Sequence, residues 1–329
     1  MRRVTRSFAL AAACGALLVA APRAEARDQI QIVGSSTVYP FSTVVAEKLS
    51  QKRMLKAPVV ESTGTGGGMK LFCSGVGEQF PDITNASRPM KDSEWEMCQK
   101  NGVKDIVEVI IGNDGIVFAN GGEGPKNLHF TVAQLWQALA AKGPKPERWN
   151  QIDPSLPNQP IRVMVPPPTS GTRDAWSELV MAEGCDAKVK AANKDDCQLL
   201  REDGAVVEAG ENDTLIVQKL AADPQAFGIF GFSYFDGNRD KLHAARINGV
   251  QVSLDTIQSY EYPVARPLFF YVKKAHIGAI PGIDAYMKEF TSNAAAGDDG
   301  YLAEVGLVPL APKKLADMRD AVSEMKTIR

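Results

Sequence analysis

Short apolar runs alternate with amphipathic stretches along most of the chain. Runs such as QIQIV, IRVMV and AFGIFGF have the length and composition of buried strands, and the stretches that follow them have helical periodicity. This alternation is typical of βα units built around a largely parallel sheet. The pattern therefore predicts an α/β protein.

The alternating pattern falls into two blocks, which are separated by the glycine-rich segment GGEGPKN. A strong strand, ARPLFFYVKK, returns late in the chain, where it can rejoin the first block. Two chain crossings, near residues 112–121 and 262–268, would then join two lobes. We expect a first lobe of residues 27–115 plus 266–329 and a second lobe of residues 116–265.

The first 26 residues have the features of a signal peptide. MRRVTR is basic, residues 7–21 are almost wholly small or apolar, and residues 24–26 (AEA) fit an A-x-A cleavage site. The apolar run is short for a membrane span. Cys14 leaves a lipoprotein as an alternative. No second apolar segment near 18 residues follows, so we expect an exported protein without stable membrane insertion.

Charge and cysteine content narrow the function classes. The formal net charge of −2 becomes −5 when residues 1–26, with four arginines and one glutamate, are removed. An acidic chain without a basic run does not suit binding to nucleic acid.

Four cysteines remain after removal of residues 1–26, and an even number in an exported chain predicts two disulfides. Cys73–Cys98 and Cys185–Cys197 are the economical choice among three connectivities. A metal site is disfavoured because C-x-x-C is absent and the three histidines are scattered.

Four turns rich in hydroxyl groups or glycine precede helical runs: GSST (34–37), STGTGGGMK (62–70), NASRPM (85–90) and PPPTSGT (166–172). Helix N-termini leave backbone N–H groups unpaired and carry a partial positive charge, and glycine lets the backbone approach a ligand. Converging turns of this kind would surround a small tetrahedral oxyanion. Each turn taken singly is also an ordinary N-cap.

Nucleotide-binding and catalytic motifs are weak. No G-K-[ST] closes the glycine-rich turn, and G-x-G-x-x-G with a later acid is absent. SGT is not a G-x-S-x-G elbow, and no histidine lies in a motif suited to activating a serine. The sequence therefore favours a binding protein over an enzyme.

Five segments in this order resemble the periplasmic phosphate-binding protein (PstS-like) of the Pst-type ABC transporter: IVGSSTVYPF, ESTGTGGGMKLF, DITNASRPM, PPPTSGTRDAW and AFGIFGFSYF. The resemblance covers nearly all of the chain after residue 26. It implies a two-lobed, type II periplasmic-binding-protein fold. Each lobe would be a mixed, mostly parallel sheet flanked by helices, and two crossing strands would join the lobes.

The same resemblance implies a function. We expect a periplasmic monomer that binds inorganic phosphate with high affinity, without a cofactor, and delivers it to the membrane permease of an ABC transporter. The alternatives are a binding protein for another tetrahedral oxyanion, such as sulfate, molybdate or a phosphonate, and an exported phosphatase.

Position within the matching motifs implies the site residues. The expected anion-binding residues are Ser35, Ser36, Thr37, Thr65, Ser87, Arg88, Ser170, Gly171, Thr172 and Arg173.

The NASRPM turn and the residues before S-G-T depart from the family pattern. Arg88 stands where family members have an aspartate that accepts a phosphate proton, and proline replaces their arginine before S-G-T. We therefore expect Arg88, Arg173 or both to supply the positive charge at the anion. The alternative for Arg88 is that it pairs with a carboxylate such as Asp82 or Asp92. The candidates for a replacement proton acceptor are Asp114, Asp174, Asp213 and Glu61.

Overall fold

The computed structural model describes residues 27–53, 56–168, 170–210 and 213–329. The predicted signal peptide lies outside these ranges, as does Cys14. Over the described ranges, every helix is too short or too polar to cross a bilayer.

Eleven strands form within the described ranges and are numbered in chain order. They are β1 (Gln31–Gly34), β2 (Val59–Ser62), β3 (Ile83–Ala86), β4 (Ile106–Gly121), β5 (His129–Phe130), β6 (Val163–Val165), β7 (Val206–Glu208), β8 (Phe227–Gly231), β9 (Leu242–Ala244), β10 (Arg246–Ile247) and β11 (Ala265–Lys273).

The described residues also form thirteen α-helices. They are α1 (Tyr39–Arg53), α2 (Thr65–Phe72), α3 (Asp92–Lys100), α4 (Val132–Leu139), α5 (Gly171–Trp176), α6 (Ala187–Ala192), α7 (Asp213–Ala222), α8 (Phe232–Asp236), α9 (Leu254–Gln258), α10 (Ile283–Phe290), α11 (Asn293–Ala296), α12 (Tyr301–Glu304) and α13 (Pro312–Ser323). A π-helical turn, Ser177–Met181, continues α5, and 3-10 turns lie at Trp149–Gln151, Lys194–Gln198 and Lys274–His276.

Nine of the strands form one mixed sheet in the order β2-β1-β3-β11-β4-β8-β6-β7, with β9 also paired to β4. β1 runs parallel to β2 and β3, and β6 runs parallel to β7 and β8. β11 is antiparallel to both β3 and β4, and β4 is antiparallel to β8. β5 and β10 form a separate parallel pair. The predicted α/β fold, with mostly parallel strands on each side of two long antiparallel ones, is confirmed.

The 16-residue strand β4 links the two sides of the sheet. Its first part pairs with β11 and its second part pairs with β8, so the same strand belongs to both sides. The sequence of this strand contains two apolar runs, IVEVII and IVFA, separated by GNDG. The structure has one strand, because each part finds its own partner and the glycines stay extended between them.

The spacing of buried residues explains how the elements pack. All four residues of β3 are buried, as expected for a strand covered on both faces. α10 buries one face at helical spacing, through Ile283, Tyr286, Met287 and Phe290. The rings of Tyr286 and Phe290 pack 5.7 Å and 5.3 Å from the ring of Phe270 in β11. The sheet is therefore held between helices.

The buried apolar side chains form separate clusters. One cluster draws on residues 116–264 together with Val308, and its centre includes the stacked rings of Phe118 and Phe227, 4.7 Å apart. Two other clusters draw on residues up to 111 and from 268 onwards. The lobe boundaries themselves stay a prediction, and the clusters lie on either side of them.

The four expected cysteines form the two expected disulfides. Cys73–Cys98 joins the end of α2 to α3, and Cys185–Cys197 closes the segment that contains α6. Cys73, Cys98 and Cys197 are almost completely buried. Both bonds link residues close in sequence, so they fix local segments and leave the relation between the two sides of the sheet to β4 and β11.

Candidate anion-binding site

The turns after β1, β2 and β3 lie at one edge of the sheet, because parallel strands share the edge at which they end. The glycine-rich turn before α2 packs directly against the end of β1. A Cβ atom on Gly68 would lie 2.5 Å from the Cα of Gly34 and 2.6 Å from the Oγ1 of Thr84. Only glycine allows this approach, which explains part of the GTGGG pattern by packing.

The GSST turn between β1 and α1 is largely buried. Ser35 is 1% exposed, and its backbone N–H donates to the carbonyl of Asn85 at 2.9 Å. The Oγ of Ser35 has no hydrogen-bond partner among the described residues. Thr37 is also buried, and Ser36 and Thr37 both line a cleft of about 640 Å³. The turn therefore directs hydroxyl groups towards a cavity.

The S-G-T turn before α5 meets the GSST turn across this cleft. The Oγ1 of Thr37 donates to the carbonyl of Gly171 at 3.3 Å. A Cβ atom on Gly171 would lie 2.3 Å from the Cα of Thr37, so glycine is needed for the contact. The Oγ of Ser170 accepts from the N–H of Thr172 at 3.2 Å, which caps α5. Two turns 134 residues apart thus come into contact.

Five of the ten expected residues line the cleft: Ser36, Thr37, Ser170, Gly171 and Thr172. Asp114 lines it as well.

Thr65 and Ser87 contact each other beside this cleft. Their hydroxyl oxygens are 3.1 Å apart, and the backbone N–H of Ser87 donates to the Oγ1 of Thr65 at 3.1 Å. Ser87 is 1% exposed. Neither residue belongs to the cleft lining, and their expected contact with the anion stays a prediction.

Arg88 forms a two-pronged ion pair with Glu94 in the first turn of α3. Its two terminal nitrogens donate to the two carboxylate oxygens at 2.8 Å and 2.9 Å, and one also donates to the carbonyl of Pro89. Burial alone would raise the pKa of Glu94, but hydrogen bonds from Arg88 and the Lys91 backbone N–H lower it. The hydrogen bonds to Glu94 in turn raise the pKa of Arg88. Anion contact by Arg88 stays a prediction, and in the structure its guanidinium is held by Glu94.

Arg173 also lies away from the cleft lining. One of its terminal nitrogens donates to the carbonyl of Pro166 at 3.1 Å. Its side chain lines a separate depression, together with Lys142 and Lys145. Its expected role at the anion therefore stays untested.

Arg266, on β11, is the guanidinium next to the cleft-lining threonine. Its side chain is 5% exposed, and one terminal nitrogen donates to the Oγ1 of Thr37 at 3.0 Å. The other donates to Glu178 at 2.7 Å. Asp114 and Asp174 lie 3.5 Å and 3.7 Å from its nitrogens. One buried cation is thus shared among a hydroxyl group and three carboxylates.

Asp114 faces Arg266 across the paired strands β4 and β11, where the register places the two residues opposite each other. Burial raises the pKa of Asp114; the positive charge of Arg266 opposes this rise, and the negative charge of Asp174 adds to it. Burial likewise raises the pKa of Glu178. Among the described residues, neither the Oδ2 of Asp114 nor the Nε of Arg266 has a hydrogen-bond partner. These two atoms lie 3.5 Å from each other, so each is the charged partner of the other in a buried ion pair beside the cleft.

Comparison with known proteins places this geometry in a family. The model of the PBP superfamily domain matches residues 19–294. The chain is 32% identical to Protein SphX of Synechococcus elongatus over 321 residues, covering 95% of this chain and 87% of that one. It is 27% identical over 277 residues to the phosphate-binding protein PstS of Staphylococcus saprophyticus, covering 82% and 78%.

The chain belongs to the PBP superfamily. A solved structure described as a possible phosphate binding protein from Planctomyces limnophilus has 29% identity and a TM-score of 0.75, covering 91% of this chain and 99% of that chain. The PstS-like resemblance that the five motifs predicted is confirmed by these relatives.

Sequence reasoning missed Arg266, which lies beside the cleft and donates to the cleft-lining Thr37. A lone arginine inside the apolar run ARPLFFYV was the available signal, because a charged residue in a buried strand needs a partner. The partners are distant in sequence: Thr37 lies 229 residues before it and Glu178 lies 88 residues before it.

The structure also separates the four candidate proton acceptors. Asp114 lines the cleft, whereas the side chain of Asp174 is 45% exposed beside Arg266 and Glu61 is exposed at the end of β2. The side chain of Asp213 lies outside the described part of the chain. Over the described ranges, no group of three histidine, cysteine or acidic side chains is arranged to hold a metal ion.

Proposed function

We propose that this protein binds inorganic phosphate in the cleft between the GSST and S-G-T turns and delivers it to an ABC-type permease. The observation that carries the proposal is the convergence of hydroxyl groups from two distant turns next to the buried guanidinium of Arg266. Relatives whose names include phosphate-binding proteins support the choice of anion. The protein acts in this scheme as a carrier and not as an enzyme, in the periplasm.

The proposed ligands are the side chains or backbone N–H groups of Ser36, Thr37, Ser170, Gly171 and Thr172, with Arg266 as the cation. Hydrogen bonds to a charged group stabilise by about 1.5–3 kcal/mol each, so several donors can offset the cost of dehydrating the anion. Thr65 and Ser87 act as neighbours that fix the end of β3. Arg88 and Arg173 are further candidates for the cation.

We propose that β4 and β11 form the hinge and that closure brings the S-G-T turn against the GSST turn. The contact between Gly171 and Thr37 is the expected arrangement of the closed form. Closure around a ligand is a known motion of two-lobed binding proteins. Scattering with and without phosphate should show compaction on binding, and an unchanged radius in a protein that binds would contradict a hinge.

Titration calorimetry of residues 27–329 with phosphate, sulfate and arsenate tests the binding proposal. We expect a dissociation constant of about 1 μM or tighter for phosphate, equivalent to about −8 kcal/mol, and similar binding of arsenate. Tighter binding of sulfate than of phosphate would reassign the anion. Sustained phosphate release from a phosphomonoester would overturn the carrier role.

A further inference from the structure

The cleft that holds the proposed anion ligands is much larger than inorganic phosphate. Its volume is about 640 Å³. A water molecule takes about 30 Å³ in the liquid, so an anion of five non-hydrogen atoms needs roughly 150 Å³ or less. Roughly three quarters of the cleft is then left over, and a space of that size is typical of pockets that hold organic ligands.

This space remains although segments distant in the chain already meet at the cleft. Thr37 contacts Gly171. Gly306 and Ser233, which also line the cleft, approach so closely that a Cβ atom on Gly306 would lie 3.1 Å from the Oγ of Ser233. The surplus volume is therefore present with both contacts made.

Part of the cleft lining is apolar. Tyr39 and Pro40 at the start of α1, Tyr234 in α8 and Val305 directly after α12 form this part, and we call these four residues the apolar wall. Tyr39 keeps 39% of its surface exposed. Covering aromatic and aliphatic surface with an organic group is favourable.

The apolar wall belongs to the same cleft as the anion ligands, and Tyr39 follows Thr37 by two residues. Among the described residues that line the cleft, Asp114 alone is charged, so the lining offers no cation to a second acidic group on a ligand. An uncharged group would instead meet rings, aliphatic surface and the hydroxyl groups of Ser62 and Ser233. The lining therefore fits a ligand with one anionic end and one uncharged end.

We propose that the cleft takes phosphorus oxyanions that carry one small uncharged organic group, as phosphonates and phosphate monoesters do. The phosphorus oxygens bind at the GSST and S-G-T turns, and the organic group packs against the apolar wall. This inference rests on the proposed function, whose anion site it extends to a wider class of ligand. Binding makes and breaks no covalent bond.

Calorimetry with a series of phosphonates measures whether the apolar wall contacts the ligand. Phenylphosphonate should bind within about tenfold of phosphate. From methyl- through ethyl- to propylphosphonate, affinity should rise by about twofold to fourfold for each added CH₂ group, because each is removed from water. Phenyl phosphate is the monoester arm, and the tighter of the two phenyl compounds identifies whether a monoester or a phosphonate is preferred.

Val305→Trp fills part of the space beside the apolar wall. Phenylphosphonate affinity should fall by about tenfold or more because the cleft becomes overpacked. Phosphate affinity should stay within about threefold of wild type, because Val305 is not among the proposed phosphate ligands.

Val207→Trp is the matched control. Val207 is 41% exposed on β7 and is not among the residues that line the cleft, so this variant should change neither affinity. Tyr39→Ala removes a ring without adding bulk and serves if Val305→Trp does not fold. It should weaken phenylphosphonate binding by about threefold to tenfold, through loss of an aromatic contact, and leave phosphate affinity unchanged.

The outcomes separate the inference from the proposed function. Protein that binds neither phosphate nor phenylphosphonate would overturn both. Protein that binds phosphate, but binds phenylphosphonate more than about tenfold more weakly, would overturn only the place for an organic group. An affinity that falls with each added CH₂ group, or an equal loss of phosphate and phenylphosphonate affinity in folded Val305→Trp, would do the same.

Discussion

Arg88 and Arg266 lie in two different regions of the molecule, and their guanidinium groups differ in the number and kind of their partners. In the turn before α3, Arg88 gives both terminal nitrogens to the one carboxylate of Glu94. On the crossing strand β11, Arg266 is shared among Thr37 and three carboxylates, and its Nε forms the ion pair with Asp114 at 3.5 Å. An arginine whose two terminal nitrogens bind one carboxylate holds a loop, whereas a buried arginine that donates to a cleft-lining hydroxyl group lies next to the place where an anion would bind.

The different contacts of Arg88 and Arg266 change which arginine we expect to contact the bound anion. Sequence position pointed to Arg88, because its turn resembles a family ligand position. Contact geometry points to Arg266, because it donates to a threonine that lines the cleft. We therefore expect mutations of the two residues to have different effects on binding and on stability.

The largest expected effect is on phosphate affinity when Arg266 is changed. Arg266→Ala should weaken binding by about 2–5 kcal/mol, the range for removing one partner of a buried charge pair. Arg266→Lys should recover only part of this loss, since lysine lacks the planar fork. Arg88→Ala should change affinity less than tenfold, which calorimetry measures.

Folding must be checked in each of these variants, because Arg266 is buried among acids. Thermal unfolding without phosphate is the control, and Arg266→Lys keeps the charge if alanine does not fold. A larger loss of affinity in Arg88→Ala than in Arg266→Lys would reverse the assignment of the two arginines.

The contact between the two turns is the next test. In Gly171→Ala the new Cβ would lie 2.3 Å from the Cα of Thr37, so the turns could not approach as they do here. Phosphate affinity should fall by about 1–3 kcal/mol, the typical cost of overpacking. Gly237→Ala is the matched control, because its nearest contact would be 3.5 Å. Equal affinities in the two variants would contradict a closed arrangement in the bound form.

The Arg88–Glu94 pair should matter for stability. Glu94→Gln should lower the free energy of unfolding at pH 7 by about 1–3 kcal/mol. Because the pKa of Glu94 is lowered in the folded protein, its contribution is fully present above its ordinary pKa of 4.5 and is lost as the pH falls through the folded value. Denaturant unfolding of both proteins should therefore show curves that converge in acid. A difference that persists unchanged to pH 3 would contradict the pair.

Lys273, at the other end of β11, can be compared with Arg266 because it is also a buried cation but is not among the residues that line the cleft. It is 1% exposed, packs 5.1 Å and 5.5 Å from the ring centroids of Phe72 and Phe80, and has no hydrogen-bond partner among the described residues. Burial lowers its pKa to about 8. Below that pH Lys273 therefore stays charged in the folded protein, and burial of the charge costs stability relative to the unfolded chain.

Lys273→Met should raise the free energy of unfolding at pH 7 by about 1 kcal/mol and leave phosphate affinity unchanged. The unfolded chain keeps the lysine proton up to about pH 10.5, whereas the folded chain loses it near 8, so wild-type stability should rise across this window. The advantage of the variant should shrink from pH 8 to pH 10. A lower stability of Lys273→Met at pH 7 would mean that the electrostatic attraction between Lys273 and the buried Asp82 outweighs the cost of burying the lysine charge.

The sequence predicted the parts of the fold and site that depend on local pattern. The alternation of strands and helices, the helix-start turns and the two local disulfides all follow from residues close together in the chain. The meeting of Thr37 with Gly171 was expected from the family resemblance, since no local signal joins turns 134 residues apart.

The rest depended on contacts that no local pattern encodes. Arg266 acquires its role from β11 lying beside β4, which brings it opposite Asp114. Glu94 lies six residues after Arg88, at the third position of α3, and it binds the guanidinium of Arg88, whose contact with an anion stays a prediction. Among the four acids that spacing left equivalent, burial and cleft lining distinguish Asp114.

A crystal structure with bound arsenate tests the central claim most directly, because arsenic can be located by its anomalous scattering. We expect one anion between Ser36 or Thr37 and the Ser170–Thr172 turn, within hydrogen-bond distance of Arg266. An arsenate held instead by Arg88, Thr65 and Ser87, with Arg266 still bound only to Thr37 and its carboxylates, would contradict the account.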